Sequence, residues 1–213
     1  MPGSEDAFDD YDDDRPRWRR LVVIGVIVVM VAAAGVGGWL WLGRELPRPA
    51  TFHAESTSAF YAAIDNRQND ASPLTLQEVF TSATQTLGKL GLAGTREYAE
   101  CDEALWGVTA AGCTQALQAT YEGGGMAGQF VIFNLGDGRA ADALVAALRK
   151  DGFVRQDVAF EAAGSQAQAR AMGHYVTVSW AGGKAIAEQD LLTALVALDG
   201  LGRVVQGRLV DAV

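Results

Sequence analysis

Hydrophobic and polar positions divide this chain into one long uninterrupted apolar run and a longer stretch where apolar residues recur at helical or strand spacing. Leu21 to Leu42 carries no charge over 22 residues. At about 1.5 Å per residue a helix of that length covers about 33 Å, enough for a hydrocarbon core about 30 Å thick. The run therefore predicts a transmembrane helix over 21–43. The rival is a cleaved signal peptide, whose apolar region spans about 7–15 residues and ends in small side chains. Here the run is longer and ends in Trp39 and Trp41, which suit the membrane–water interface. Arg15, Arg17, Arg19 and Arg20 precede it, against Arg44 and Arg48 after it. Positive charge is retained on the cytoplasmic side, so the N-terminus is expected inside. Ala33/Gly37 and Ala34/Gly38 recur four apart, a spacing that lets two helix backbones approach and permits self-association.

Beyond the span, Pro47 and Pro49 mark a juxtamembrane linker over 44–72 that holds a possible short helix, Phe52 to Ile64. An extracytoplasmic domain is expected over 73–213. Thr75-Leu76-Gln77-Glu78 fits a capping box, and Leu76, Val79, Phe80, Ala83, Leu87 and Leu90 follow at helical spacing up to Gly91. Thr114–Glu122 and Gln129–Leu135 read as two strands joined by Gly123-Gly124-Gly125, followed by a helix at 139–150 with Ala141, Leu144, Val145 and Leu148 inward. The order then recurs: strands at 165–172 and 174–180, a break at Gly182-Gly183, and a helix at 188–198. Arg203–Val210 is expected as a last edge strand. The resulting fold class is α+β: a mainly antiparallel four-stranded sheet with helices on one face, built from a possible ββα repeat. The second face would be solvated, paired with another subunit, or covered by 52–64.

Charge changes the picture at both ends. The tail, 1–20, holds seven acids against four arginines, and its composition predicts disorder. Phe8 and Tyr11, set among those acids, are candidate contacts for a basic cytoplasmic partner. The whole chain carries −9, and its exterior part is acidic with no basic stripe. Nucleic acid is not expected as a partner, because neutralising phosphates requires clustered Lys and Arg.

Cys101 and Cys113 are the only cysteines, and an even pair in an oxidising compartment reads as a disulfide. Two thiols with only His53 and His174 in the chain do not make a metal site. Glu97, Glu100, Asp102 and Glu103 surround Cys101 and read as a solvated acidic loop, lacking the fixed spacing of a calcium loop. Trp106, inside the presumed disulfide loop, is either a rigid anchor for a partner or core tucked beneath the loop. His174 and His53 read as ordinary surface or edge histidines. The Gly-rich turns lack the endings of a phosphate loop or a dinucleotide fingerprint. No catalytic, cofactor-binding or metal-binding residue is assigned, and no cofactor is expected.

The acidic-then-Arg tail, the Ala/Val/Gly span, and Cys101…Trp106…Cys113-Thr114-Gln115 leading to Ala119-Thr120-Tyr121 resemble uncharacterised single-pass membrane proteins of high-GC actinobacteria. That resemblance implies an origin and an anchor, with no activity to transfer. The functional expectation is a non-catalytic interaction or sensing module on the outer face of the membrane, an accessory subunit of an envelope complex being one form of it. A ligand-binding or enzymatic domain tethered to the membrane is the alternative.

Overall fold

A computed structural model describes residues 47–212 of the chain. The expected tail and transmembrane helix, with Phe8, Tyr11, Arg17, Arg19, Arg20, Trp39 and Trp41, lie outside the described residues. Among those described, no helix is long and apolar enough to cross a membrane.

The sheet is larger than expected and is mixed. Seven strands run in the order β1-β8-β9-β6-β5-β3-β2. They are β1 (Thr51–Glu55), β2 (Thr86–Leu87), β3 (Leu90–Tyr98), β5 (Gln115–Gly123), β6 (Met126–Asn134), β8 (Gln166–Met172) and β9 (Tyr175–Gly183). β1 lies parallel to β8 and every other pairing is antiparallel. A two-stranded ribbon, β4 (Leu105–Trp106) with β7 (Phe153–Val154), forms a separate small sheet. The helices are α1 (Leu76–Val79), α2 (Gly138–Lys150), α3 (Glu188–Asp199) and α4 (Arg203–Asp211). The four-stranded antiparallel sheet expected from the sequence is thus corrected to a seven-stranded mixed one.

The two hairpins at its centre follow from local signals. Gly124 and Gly125 both hold positive φ, 61° and 75°, which the two-residue turn between β5 and β6 requires. Gly173, at φ 60°, opens the turn from β8 to β9, and a Cβ there would collide with the Ile64 carbonyl. α2 starts where expected, capped by the Asp137 side chain accepting from the Ala140 amide at 2.8 Å.

Both faces of the sheet are covered by this chain, which corrects the expectation of helices on one face. Alternation sends Ala116, Val131, Phe133, Val176, Val178 and Trp180 to one side, where Leu144, Val145 and Leu148 of α2 and Phe153 of β7 meet them. Trp180 is fully buried, with Phe153 and Phe160 each edge-on at 5.0 Å. Each such side chain contributes roughly 1.5–3 kcal/mol by burial. Leu117, Ala119, Tyr121, Phe130, Ile132 and Tyr175 face the other side, closed by Leu191 and Leu198 of α3, Val205 of α4, and Val79 and Phe80. The strand–strand–helix order therefore recurs without recurring in geometry. Turning one hairpin onto the other about the sheet normal would leave both helices on one face, whereas α2 and α3 pack on opposite faces.

Three further expectations change. The helix predicted over 76–90 is one turn only, and Thr86–Tyr98 becomes the β2–β3 hairpin. Phe52–Ile64 is strand β1 followed by a 3-10 helix at Ser58–Ile64, held to α2 where Ser58 Oγ donates to Asp142 Oδ2 at 2.7 Å. Arg203–Val210, expected as an edge strand, is helix α4.

Candidate functional site

Cys101 and Cys113 form a disulfide, with Cα atoms 6.1 Å apart. The loop it closes is braced from within, since Asp102 Oδ1 accepts from the Ala110 amide at 2.8 Å. It is braced from outside as the Arg155 amide donates to the Ala104 carbonyl. Trp106 sits half-buried within that loop, paired with Phe153, with the Arg48 guanidinium 5.7 Å over its ring. Arg48 in turn donates to the Leu148 and Arg149 carbonyls at 2.8 and 3.1 Å, satisfying the open C-terminal end of α2.

The four acids near Cys101 diverge. Glu97 accepts from Gln115 Nε2, Asp102 turns into its own loop, and Glu100 and Glu103 stay exposed. Among the described residues no group of His, Cys, Asp and Glu is arranged to hold a metal ion. His53 is exposed on β1, as a surface histidine should be. His174 is not at the surface but fully buried, because the chain at Ile64 crosses over the β8–β9 turn and accepts from both its backbone amide and its Nδ1. Burial pushes the His174 imidazole down from its ordinary range.

A polar cleft that the sequence did not reveal lies on the α2 side of the sheet, over β3 and β5. Register sets Arg96 beside Gln118 and Gly94 beside Thr120. The roof comes from the segment after β7. Gln129 of β6 grips it by donating from Nε2 to the Arg155 carbonyl at 2.7 Å and accepting the Asp157 amide at 2.9 Å. Asp157 is thereby held above the strands, where Arg96 Nη1 reaches its Oδ2 at 3.0 Å. Tyr98 Oη lies 2.6 Å from Gln118 Oε1 and 2.9 Å from the same Asp157 oxygen, so one phenolic proton serves two acceptors. Burial, with help from Asp157 and against the pull of Arg96, raises the Tyr98 phenol above its ordinary range, so it remains a neutral donor.

Gln118 is only 2% exposed, and its Nε2 has no partner. It lines a cleft of about 110 Å³ together with Gly94, Thr95, Arg96, Thr120 and Asp157. Other buried polar atoms lack partners too, among them Trp106 Nε1, Asn134 Oδ1 and His174 Nε2, but none of their residues lines this cleft. An unpaired buried amide donor costs about 1–3 kcal/mol unless something accepts from it. The sequence signal was a glutamine at an inward position on each of two adjacent strands. No known protein family matches the chain, no curated protein matches its sequence, and no solved structure matches its fold.

Proposed function

We propose that this chain is a non-catalytic recognition module, sensing or interacting with a partner at the outer face of a membrane to which residues 21–43 tether it. The observation that carries this reading is the cleft over β3 and β5. Its ionisable groups are engaged with one another: Arg96 with Asp157, and Tyr98 with both Asp157 and Gln118. Groups so paired suit holding a polar ligand in place better than moving a proton, for which a free base of matched pKa is needed. The Cys101–Cys113 disulfide supports the outer placement, since such bridges persist in oxidising compartments. Trp106 on the stapled loop, and Phe8 and Tyr11 in the tail, are the proposed contacts for a protein partner, with self-association as the other form of assembly.

The test is crosslinking of the tagged full-length protein in intact cells with mass spectrometry of what is captured, beside a tail deletion and Trp106→Ala. An impermeant thiol reagent applied after mild reduction should label the half-buried Cys113 from outside, Cys101 being buried. A specific envelope partner lost in one variant supports the reading. Labelling of Cys113 only after lysis would overturn the placement, and self-crosslinks unchanged in both variants would move the weight to ligand binding by a homodimer.

A further inference from the structure

Resting on the recognition reading, we infer that the cleft binds a neutral amide group presented by an extended peptide. Two residues that line the cleft carry one donor and one acceptor without a partner. Gln118 Nε2 needs an acceptor, and Asp157 is engaged through Oδ2, leaving Oδ1 for a donor. A carbonyl oxygen with an adjacent N–H satisfies both at once. A carboxylate would meet the Asp157 charge, which Arg96, itself 61% exposed, only partly offsets. A cation would face the Gln118 amide protons and Arg96. Size agrees: a liquid water occupies about 30 Å³, so 110 Å³ admits roughly four non-hydrogen atoms, an amide and its flanking carbon.

The strand beside the cleft favours a peptide as the source. β2 pairs only with Leu90 and Gly91, whereas β3 runs on to Tyr98 with Gly94 to Glu97 exposed. An open strand edge accepts an added strand through main-chain hydrogen bonds. A segment laid there passes the mouth of the cleft, which Gly94 and Thr95 themselves line.

The test is a ¹⁵N–¹H titration of the full-length chain in detergent, reading the side-chain NH₂ pair of Gln118, assigned by its loss in Gln118→Leu. The probes are N-acetylglycine N-methylamide, N-acetylglucosamine and acetate. The blocked amino acid should shift the pair saturably, in the millimolar range proper to so small a ligand. Gln118→Leu should weaken its binding, followed at backbone amides of β3, at least about five-fold, the ratio for one hydrogen bond. In Asp157→Asn the one remaining oxygen is claimed by Arg96 and Tyr98 and the NH₂ faces the cleft, so this variant should weaken the amide probe while admitting acetate. Binding of the sugar alone would overturn the peptide assignment. Preference of the wild-type cleft for acetate would overturn the amide. A Gln118 pair that no probe moves, and that contacts only water, would remove the site altogether. The recognition reading fails separately, if no specific partner is captured in cells or if Cys113 can be labelled only after lysis.

Discussion

Arg208 joins the last helix to the segment ahead of β2, and its removal gives the most discriminating test of how this domain is held shut. Its guanidinium donates from Nη1 to Asp70 Oδ1 at 2.7 Å and to the Ser72 carbonyl at 2.8 Å. It also forks onto Glu78 through Nε and Nη2 at 2.8 and 2.9 Å. The side chains of Arg208 and Asp70 are 14% and 9% exposed, and Glu78 is 34% exposed. Asp70 is also the acceptor for the Tyr175 hydroxyl at 2.7 Å, and burial raises that phenol so that it stays protonated. Breaking a fully buried pair costs about 3–5 kcal/mol. The Glu78 half is partly solvated and screened, so Arg208→Met should cost about 2–3 kcal/mol, most of it from the carboxylate stranded at Asp70.

That origin can be checked by a sign. In the native chain Asp70→Asn weakens the link to Arg208 and should destabilise by about 1–2 kcal/mol. In the Arg208→Met background the same change removes an uncompensated charge while keeping an acceptor for Tyr175, so it should restore about 1 kcal/mol. The assay is urea unfolding of the purified chain, urea being preferred because guanidinium chloride would screen the pair. Equal destabilisation by Asp70→Asn in both backgrounds would refute the stranded-charge account.

The disulfide and His174 supply two further predictions. Replacing Cys101 and Cys113 together by Ser should cost about 3 kcal/mol in the chain-entropy picture, for a loop with a sequence separation of 12. A loss under about 1 kcal/mol in the same urea experiment would mean that the Asp102 brace closes the loop unaided. For His174 the folded imidazole titrates below its unfolded value near 6.5, so below that pH the unfolded chain binds the extra proton. Stability should hold above about pH 7 and fall as the pH drops through the unfolded value. His174→Asn should remove that part of the slope, and a variant with the native pH dependence would exclude His174 as its source.

What could be read from the sequence was what neighbouring residues decide among themselves. The β5–β6 and β8–β9 hairpins carry their own glycine turns, and α2 carries its own cap. The segment after Thr75 shows the limit of such signals. Its capping box is real, with the Glu78 amide donating to Thr75 Oγ1 at 3.1 Å and the Thr75 amide to Glu78 Oε2 at 3.4 Å. It nucleates one turn, after which Phe80 leaves helical geometry and Gly88, at φ 62°, reverses the chain. Leu90 is fully buried in the same core that a helix would have served. Helical spacing of apolar residues recorded their burial but not the route to it. β1 was illegible for a different reason: its partner β8 lies more than a hundred residues away, and parallel pairing leaves no turn to recognise. The opposite placement of α2 and α3 is decided by which face of the completed sheet each helix meets, and no local pattern holds that.

The candidate site was hidden by the same logic, and two glutamines show where it differs from ordinary structure. Gln118 and Gln129 project from adjacent strands to the same face, two register positions apart. Gln129 interrupts a row of Ala127, Val131 and Phe133, Gln118 lies between Ala116 and Thr120, and each, being buried, must recover the cost of losing water. Gln129 does so completely, donating to one backbone group of the 155–157 segment and accepting from another. Its role is to fix the roof of the cleft. Gln118 meets only half of its need: Oε1 is held by Tyr98, while the buried NH₂ has no partner, in a residue that lines the cleft. Leucine or alanine there would avoid the penalty if the strand needed only to pack. A glutamine that is locked at its oxygen and unpartnered at its nitrogen is oriented for an acceptor arriving from outside. Its neighbour spends the same chemistry on the fold, and the contrast between the two supports the proposed recognition role of the one beside the scaffolding role of the other.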